Sequence, residues 1–128
     1  LDQSALSAGL ARCVEKDISV IVGAPFASGI LATGPHPGAR YGYRPASKEI
    51  LTKTGKIQDI CRSHGVSLAA AALRFPIAHP AVISVIPGGA SAQEVLQNIS
   101  SSKEHIPKEM WGELKECGLI EATAPVPV

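Results

Sequence analysis

A chain of 128 residues that is 45% hydrophobic and 18% charged can bury one packed core and is not disordered by composition. Its net charge of +1 and few aromatics give neither a basic stripe nor stacking rings, which argues against a nucleic-acid partner. No apolar run reaches the roughly 18 residues a transmembrane helix needs, and no charged-then-apolar leader opens the chain, so no membrane partner and no signal or transit peptide is expected. A chain that begins at Leu1 is expected to be processed or to be a piece of something longer. Cys13, Cys61 and Cys117 are odd in number, far apart and without CxxC spacing. They read as thiols in a reducing, cytoplasmic compartment, with Cys13 and Cys61 on helix faces, and no metal site is expected.

In chain order, Ser4 to Lys16 predicts a helix with Ser4 as N-cap and Leu6, Leu10, Cys13 and Val14 at helical spacing. Ile18 to Val22 is a continuous β-branched run, which suits a parallel strand covered on both faces. Gly23 and Pro25 end it, and Ala24 to Ala46 is loop-rich and long enough to be functional. Ser47 to His64 predicts a second helix, with Ile50, Leu51, Ile57, Ile60 and Cys61 on one side and Gly65 as the residue that closes it. Ser67 caps an Ala-rich helix ending before Pro76, whose small side chains permit close packing. A strand over Val82 to Ile86, a helix over Ser91 to Ile99, and a helix over Lys108 to Cys117 follow, with Pro107 at the first helical position and Gly118 at its end. The tail from Ala122 to Val128 reads as extended or frayed.

The fold class is therefore α/β with only two evident strands. Two parallel strands alone leave unpaired edges, so further strands of the same protein, or association through the edges, are expected. Where the second strand breaks at Gly88 and Gly89 and Ser91 opens a helix, several free backbone N–H groups are expected at one point, a device for holding a phosphate. Ile18 to Leu31 repeats the pattern less completely.

The stretches VIVGAPFASGIL (Val20 to Leu31), HGVSLAAAALRFPIAHP (His64 to Pro80), SVIPGGASAQEVLQN (Ser84 to Asn98) and IPKEMWGELKECGLI (Ile106 to Ile120) resemble, in this order, the C-terminal part of the aldo/keto reductase family. Within that family they look most like the branch of aldose, L-fucose and pyridoxal dehydrogenases. The resemblance implies the C-terminal portion of a (β/α)8 TIM barrel, strands seven and eight with their helices, so that residues 1–128 are a partial oxidoreductase domain lacking its N-terminal half. It implies hydride transfer between a nicotinamide cofactor and an aldose or other small carbonyl or hemiacetal substrate. The family's Asp, Tyr, Lys and His catalytic set belongs to the missing half, and none of His36, Tyr41, Tyr43, Lys48 or Asp59 stands at a matching position. No catalytic residue is assigned.

The resemblance places a dinucleotide across the C-terminal mouth of the barrel. Ala24, Phe26, Ser28 and Gly29 would then lie along its pyrophosphate, with Ser28 donating a hydroxyl and Phe26 a main-chain N–H. Gly88, Gly89, Ala90 and Ser91 would hold the adenosine end, and Gln97 and Asn98 would reach the adenine edge. Many NADP-dependent relatives carry Lys at the position of Gly88 and Arg at that of Glu94. With both cations gone, Glu94 favours NAD, whose ribose hydroxyl is neutral, over NADP. The plainer readings stay open beside these: a polar turn after the first strand, and Glu94 as a solvated residue favouring the helix dipole.

His36, His64, His79 and His105 read as structural, with His64 at a helix C-terminus. Trp111 belongs to the core or flanks the substrate, and Tyr41, Tyr43 and Arg44 either decorate the long loop or fold over the mouth. The alternative to an oxidoreductase part is a truncated, non-catalytic homologue that binds nucleotide or makes protein contacts.

Overall fold

The computed structural model describes residues 1–127; Val128, the last residue of the expected tail, lies outside the described residues. A π-helical turn at Leu6–Leu10 runs into α1 (Ala11–Glu15). Strand β1 (Val20–Gly23) leads through a short α2 (Ile30–Thr33) to a small hairpin of β2 (Arg40–Tyr41) and β3 (Arg44–Pro45). Then come α3 (Lys48–Ser63), α4 (Leu68–Ile77), β4 (Val82–Ile86), α5 (Ala92–Ser102) and α6 (Lys108–Glu116).

The three longest helices start where a serine can satisfy the orphan N–H groups of a first turn. Ser47, Ser67 and Ser91 accept from the backbone N–H groups of Ile50, Ala70 and Glu94. Ser67 is itself gripped from a distance: both carboxylate oxygens of Glu104 accept from it, one from its N–H and one from its hydroxyl, each at 2.7 Å. Pro107 caps α6 in extended conformation, one position before its expected place inside the helix.

Three helices end in the same backbone device, the Schellman motif. After α3, Gly65 donates to Arg62 and Val66 to Cys61; after α6, Gly118 donates to Lys115 and Leu119 to Leu114. After α1, Asp17 donates to Val14 and Ile18 to Cys13, with Asp17 at φ 55° where the other two sites have glycine. Ile18 is thereby committed to closing a helix, which is why β1 begins at Val20 instead of Ile18. An L-residue in the left-handed region costs about 1–2 kcal/mol. Asp17→Gly is expected to raise stability by about 1 kcal/mol, read as a higher thermal midpoint.

Other boundaries differ from expectation for local reasons. Ser4 does not cap the first helix; its N–H is taken by the Asp2 carboxylate at 2.9 Å, and Ala5 stands at the cap with no side-chain bond. α4 runs past Pro76 to Ile77, because the missing N–H falls in a turn that is already ending. α5 continues beyond Ile99 to Ser102 and buries Ser101 on the way.

The core lies among α3, α4 and α6. Ile57, Ile60 and Cys61 meet Leu68, Ala70 and Ala71, and Met110, Trp111 and Leu114 complete the cluster, with Val66 and Leu119 of the two closing motifs inserted into it. Burial raises the Cys61 thiol from 9.0 to about 11, and the negative charge of Glu104 adds to the rise. Below pH 9.0 the thiol is protonated in both the folded and unfolded chain; between 9.0 and about 11 only the unfolded chain releases the proton. Stability is therefore expected to fall across that window by roughly 1–2 kcal/mol, measured as urea midpoints, and a Cys61→Ala variant should lose this part of the pH dependence.

β1 and β4 pair in parallel, Val22 opposite Val85 and Gly23 opposite Ile86, with an irregularity between Val20 and Ile21. The expectation of strands covered on both faces is not met. α4 packs on β4, but Ile21, Ile83 and Ile86 remain 56%, 64% and 60% exposed. A β-branched run fixes the strand, but it does not by itself bring cover to these side chains. The parallel register has one further consequence: the segments following Gly23 and Ile86 leave the sheet at the same end, side by side.

Candidate functional site

The segment after β1 folds tightly. Ala27 donates to the Ala24 carbonyl at 3.0 Å, and Gly29 and Leu31 both donate to that of Phe26. To make these bonds, Ala24, Ala27 and Ser28 take positive φ of 51°, 49° and 66°, beside Gly29 at 97°. Three such L-residues in one short loop are a local store of strain, a feature that clusters at functional sites. Ile30 and the ring of Phe26 are buried beneath it.

The segment after β4 is ordered by polar side chains. Ser91 accepts from Glu94 N–H at 3.2 Å, and the Glu94 carboxylate reaches back to accept from Ala90 N–H at 2.7 Å. This is a capping box displaced by one residue. Asn98 donates its side-chain amide to the Gly88 carbonyl at 3.0 Å. Gly88 lies in open space, whereas a Cβ on Gly89 would come within 2.9 Å of Val95 Cγ2. The expected cluster of free N–H groups is thus partly spent, since those of Ala90 and Glu94 already have side-chain partners.

Between the two segments lies a cavity of about 490 Å³. Ala24, Phe26, Ser28 and Gly29 line it from the first segment; Gly88, Glu94, Gln97 and Asn98 line it from the second. Gly89, Ala90 and Ser91 do not line it. Residues that sequence reasoning passed over complete the wall: Ala27, Ala32 and Thr33 beside the first loop, and Ala69 of α4. The small side chain of Ala69 was the available signal, in a helix whose alanines were read only as packing residues. Among its lining residues Glu94 carries the one charged side chain.

Of Tyr41, Tyr43 and Arg44, only Tyr43 lines this cavity. Gly42 and Tyr43, at φ 57° and 63°, form the two-residue turn of the hairpin, the positive-φ pair characteristic of a type I′ turn.

Three of the four histidines have structural partners. His36 contacts Thr33 Oγ1 and the Pro37 carbonyl, and His79 Nδ1 accepts from Ala81 N–H. His64 caps the C-terminus of α3 and pairs through Nε2 with Glu113 of α6 at 2.8 Å. Among the described residues no cluster of His, Cys, Asp and Glu is arranged to hold a metal ion. No helix of the described residues is long and apolar enough to cross a membrane.

The family model described as "Aldo/keto reductase family" matches residues 6–119. The chain belongs to the aldo/keto reductase family. It is 35% identical over 120 residues to pyridoxal 4-dehydrogenase of Microbacterium luteolum, covering 94% of this chain and 35% of that protein. It is 36% identical over 121 residues to D-threo-aldose 1-dehydrogenase of a Pseudomonas species, covering 94% of this chain and 37% of that one. This aldo/keto reductase chain thus spans little more than a third of the length of the curated relatives it matches.

Proposed function

We propose that this chain is the cofactor-holding, C-terminal part of an aldo/keto reductase, the seventh and eighth strand units of a (β/α)8 barrel. Its parent protein would be an oxidoreductase interconverting an aldose or other small carbonyl compound with its oxidised or reduced partner. The observation that carries the reading is the convergence of two segments, distant in sequence, on one cavity at the shared end of two parallel strands. Ligands of barrel enzymes sit at that end of the sheet. The exposed side chains of Ile21, Ile83 and Ile86 on a sheet of only two paired strands fit a sheet that continues into other strands. The three unpaired thiols go with the reducing, cytoplasmic setting that we keep as part of the proposal.

The residues present fit a nicotinamide dinucleotide. Such a cofactor, when bound, supplies or accepts the hydride. Ser28 offers a hydroxyl to a phosphate oxygen, and the glycine backbone at Gly29 and Gly88 allows close approach. Asn98 keeps its carbonyl oxygen for an adenine amine while its own amide holds Gly88. Glu94, fixed by Ala90 N–H, presents an acceptor that suits a ribose hydroxyl and repels a 2′-phosphate, so NAD is the proposed cofactor over NADP. Proton transfer at the substrate is left to groups outside this chain.

Calorimetric titration of the chain with NAD, NADP and ADP-ribose tests the reading. Binding of NAD and ADP-ribose, with NADP weaker and no turnover by the chain alone, is the expected result. No binding of any of the three would overturn it.

A further inference from the structure

Tyr43 is placed with unusual care for a loop residue. It stands at a turn position with positive φ, where Gly or Asn is the usual occupant. Both of its peptide groups are held: its N–H donates to Ser28 Oγ at 3.0 Å, and its carbonyl accepts from Arg40 Nη2 at 2.9 Å. Yet the residue is 79% exposed while lining the cavity. Phe26, the other aromatic there, is buried against the protein and has no comparable free surface. A strained, doubly anchored backbone that holds an aromatic face beside an open cavity is hard to explain by packing, because the residue buries little.

We infer that Tyr43 is a binding residue of this cavity, its ring forming a stacking face for a planar heteroaromatic ring of the dinucleotide and its N–H orienting the Ser28 hydroxyl. The inference rests on the dinucleotide reading given above. A serine hydroxyl has one donor and two acceptor positions. Tyr43 N–H occupies an acceptor position, so the Ser28 proton stays available to a phosphate oxygen. The hairpin thereby couples two contacts: moving its tip disturbs the stacking face and the phosphate donor together.

The test uses the whole chain with NAD and ADP-ribose as probes. Tyr43→Asn removes the ring while keeping a residue suited to the turn, and Tyr43→Phe keeps the ring. Circular dichroism and the thermal midpoint of each variant report whether the hairpin and core are intact. Tyr43→Asn is expected to weaken NAD about tenfold or more, with Tyr43→Phe close to the parent chain. An equal loss for ADP-ribose assigns the ring to adenine; a loss for NAD alone assigns it to nicotinamide. The upfield proton shifts that the bound ring shows by NMR should vanish in Tyr43→Asn and persist in Tyr43→Phe. Ser28→Ala should combine with Tyr43→Asn less than additively, as expected of coupled neighbours. Unchanged NAD affinity in Tyr43→Asn overturns the inference and leaves the dinucleotide reading standing. Failure of the parent chain to bind NAD overturns both.

Discussion

Trp111→Ala is expected to remove about 3–5 kcal/mol of stability, the largest effect of any single truncation in this chain. Trp111 is 2% exposed, stacks on Phe75 with ring centroids 5.9 Å apart, and sits in the cluster that joins α3, α4 and α6. Its removal leaves a cavity where the three helices meet, and so few other large side chains are fully buried that little can collapse into it. Among the described residues the buried indole Nε1 has no hydrogen-bond partner, a cost of about 1–3 kcal/mol that Trp111→Phe would relieve while keeping most of the ring. The phenylalanine variant should therefore lose far less than the alanine variant. Urea denaturation followed by circular dichroism makes the comparison, since Trp111 is the chain's single tryptophan. Equal losses in the two variants would mean that the indole nitrogen has a favourable partner after all.

The second large effect concerns cofactor choice. At an effective dielectric near 20, a carboxylate about 6 Å from a phosphate charge is disfavoured by about 2–3 kcal/mol before screening by salt. Glu94→Gln removes the charge but keeps an oxygen that accepts from Ala90 N–H, so the cap survives. The expected result is a gain in NADP affinity relative to NAD of roughly tenfold after solvent screening, with the thermal midpoint nearly unchanged. A shift in stability with no shift in the NAD to NADP ratio would make Glu94 a capping residue only. The gain should also shrink as salt is added, because the charge is exposed.

The helix ends were the most legible part of the sequence, because their signals are local. Ser47, Ser67 and Ser91 as caps, and Gly65 and Gly118 as closing residues, follow from side-chain oxygens and from positive φ. Asp17 hid because it performs the same closure without a glycine, and Asp2 displaced Ser4 because two short polar side chains compete for one turn. The Gly42–Tyr43 turn was missed for a related reason: one of its two positive-φ positions carries an aromatic. Strand burial was not legible, since a β-branched run carries no signal for which of its side chains gains cover, and Ile21 and Ile83 stay exposed. At the candidate site, the glycines and polar side chains of both loops stood out by type. The use of the Glu94 carboxylate for Ala90 N–H and of the Ser91 hydroxyl for Glu94 N–H, which occupies these donors, depends on rotamers that no spacing rule specifies.

The pairing of Val20 with Val82 joins segments separated by three helices and a hairpin. Closing so long a loop is entropically costly, and contacts of that kind form late. In the helical trio around Trp111, α3 and α4 are chain neighbours joined by a short turn and can pair early. Folding should thus proceed in two stages, with the ligand-facing end assembled only when the strands zip together. In native-state hydrogen exchange, amides of Val20–Gly23 should open well before those of α3, so that the mouth can loosen while the body stays folded.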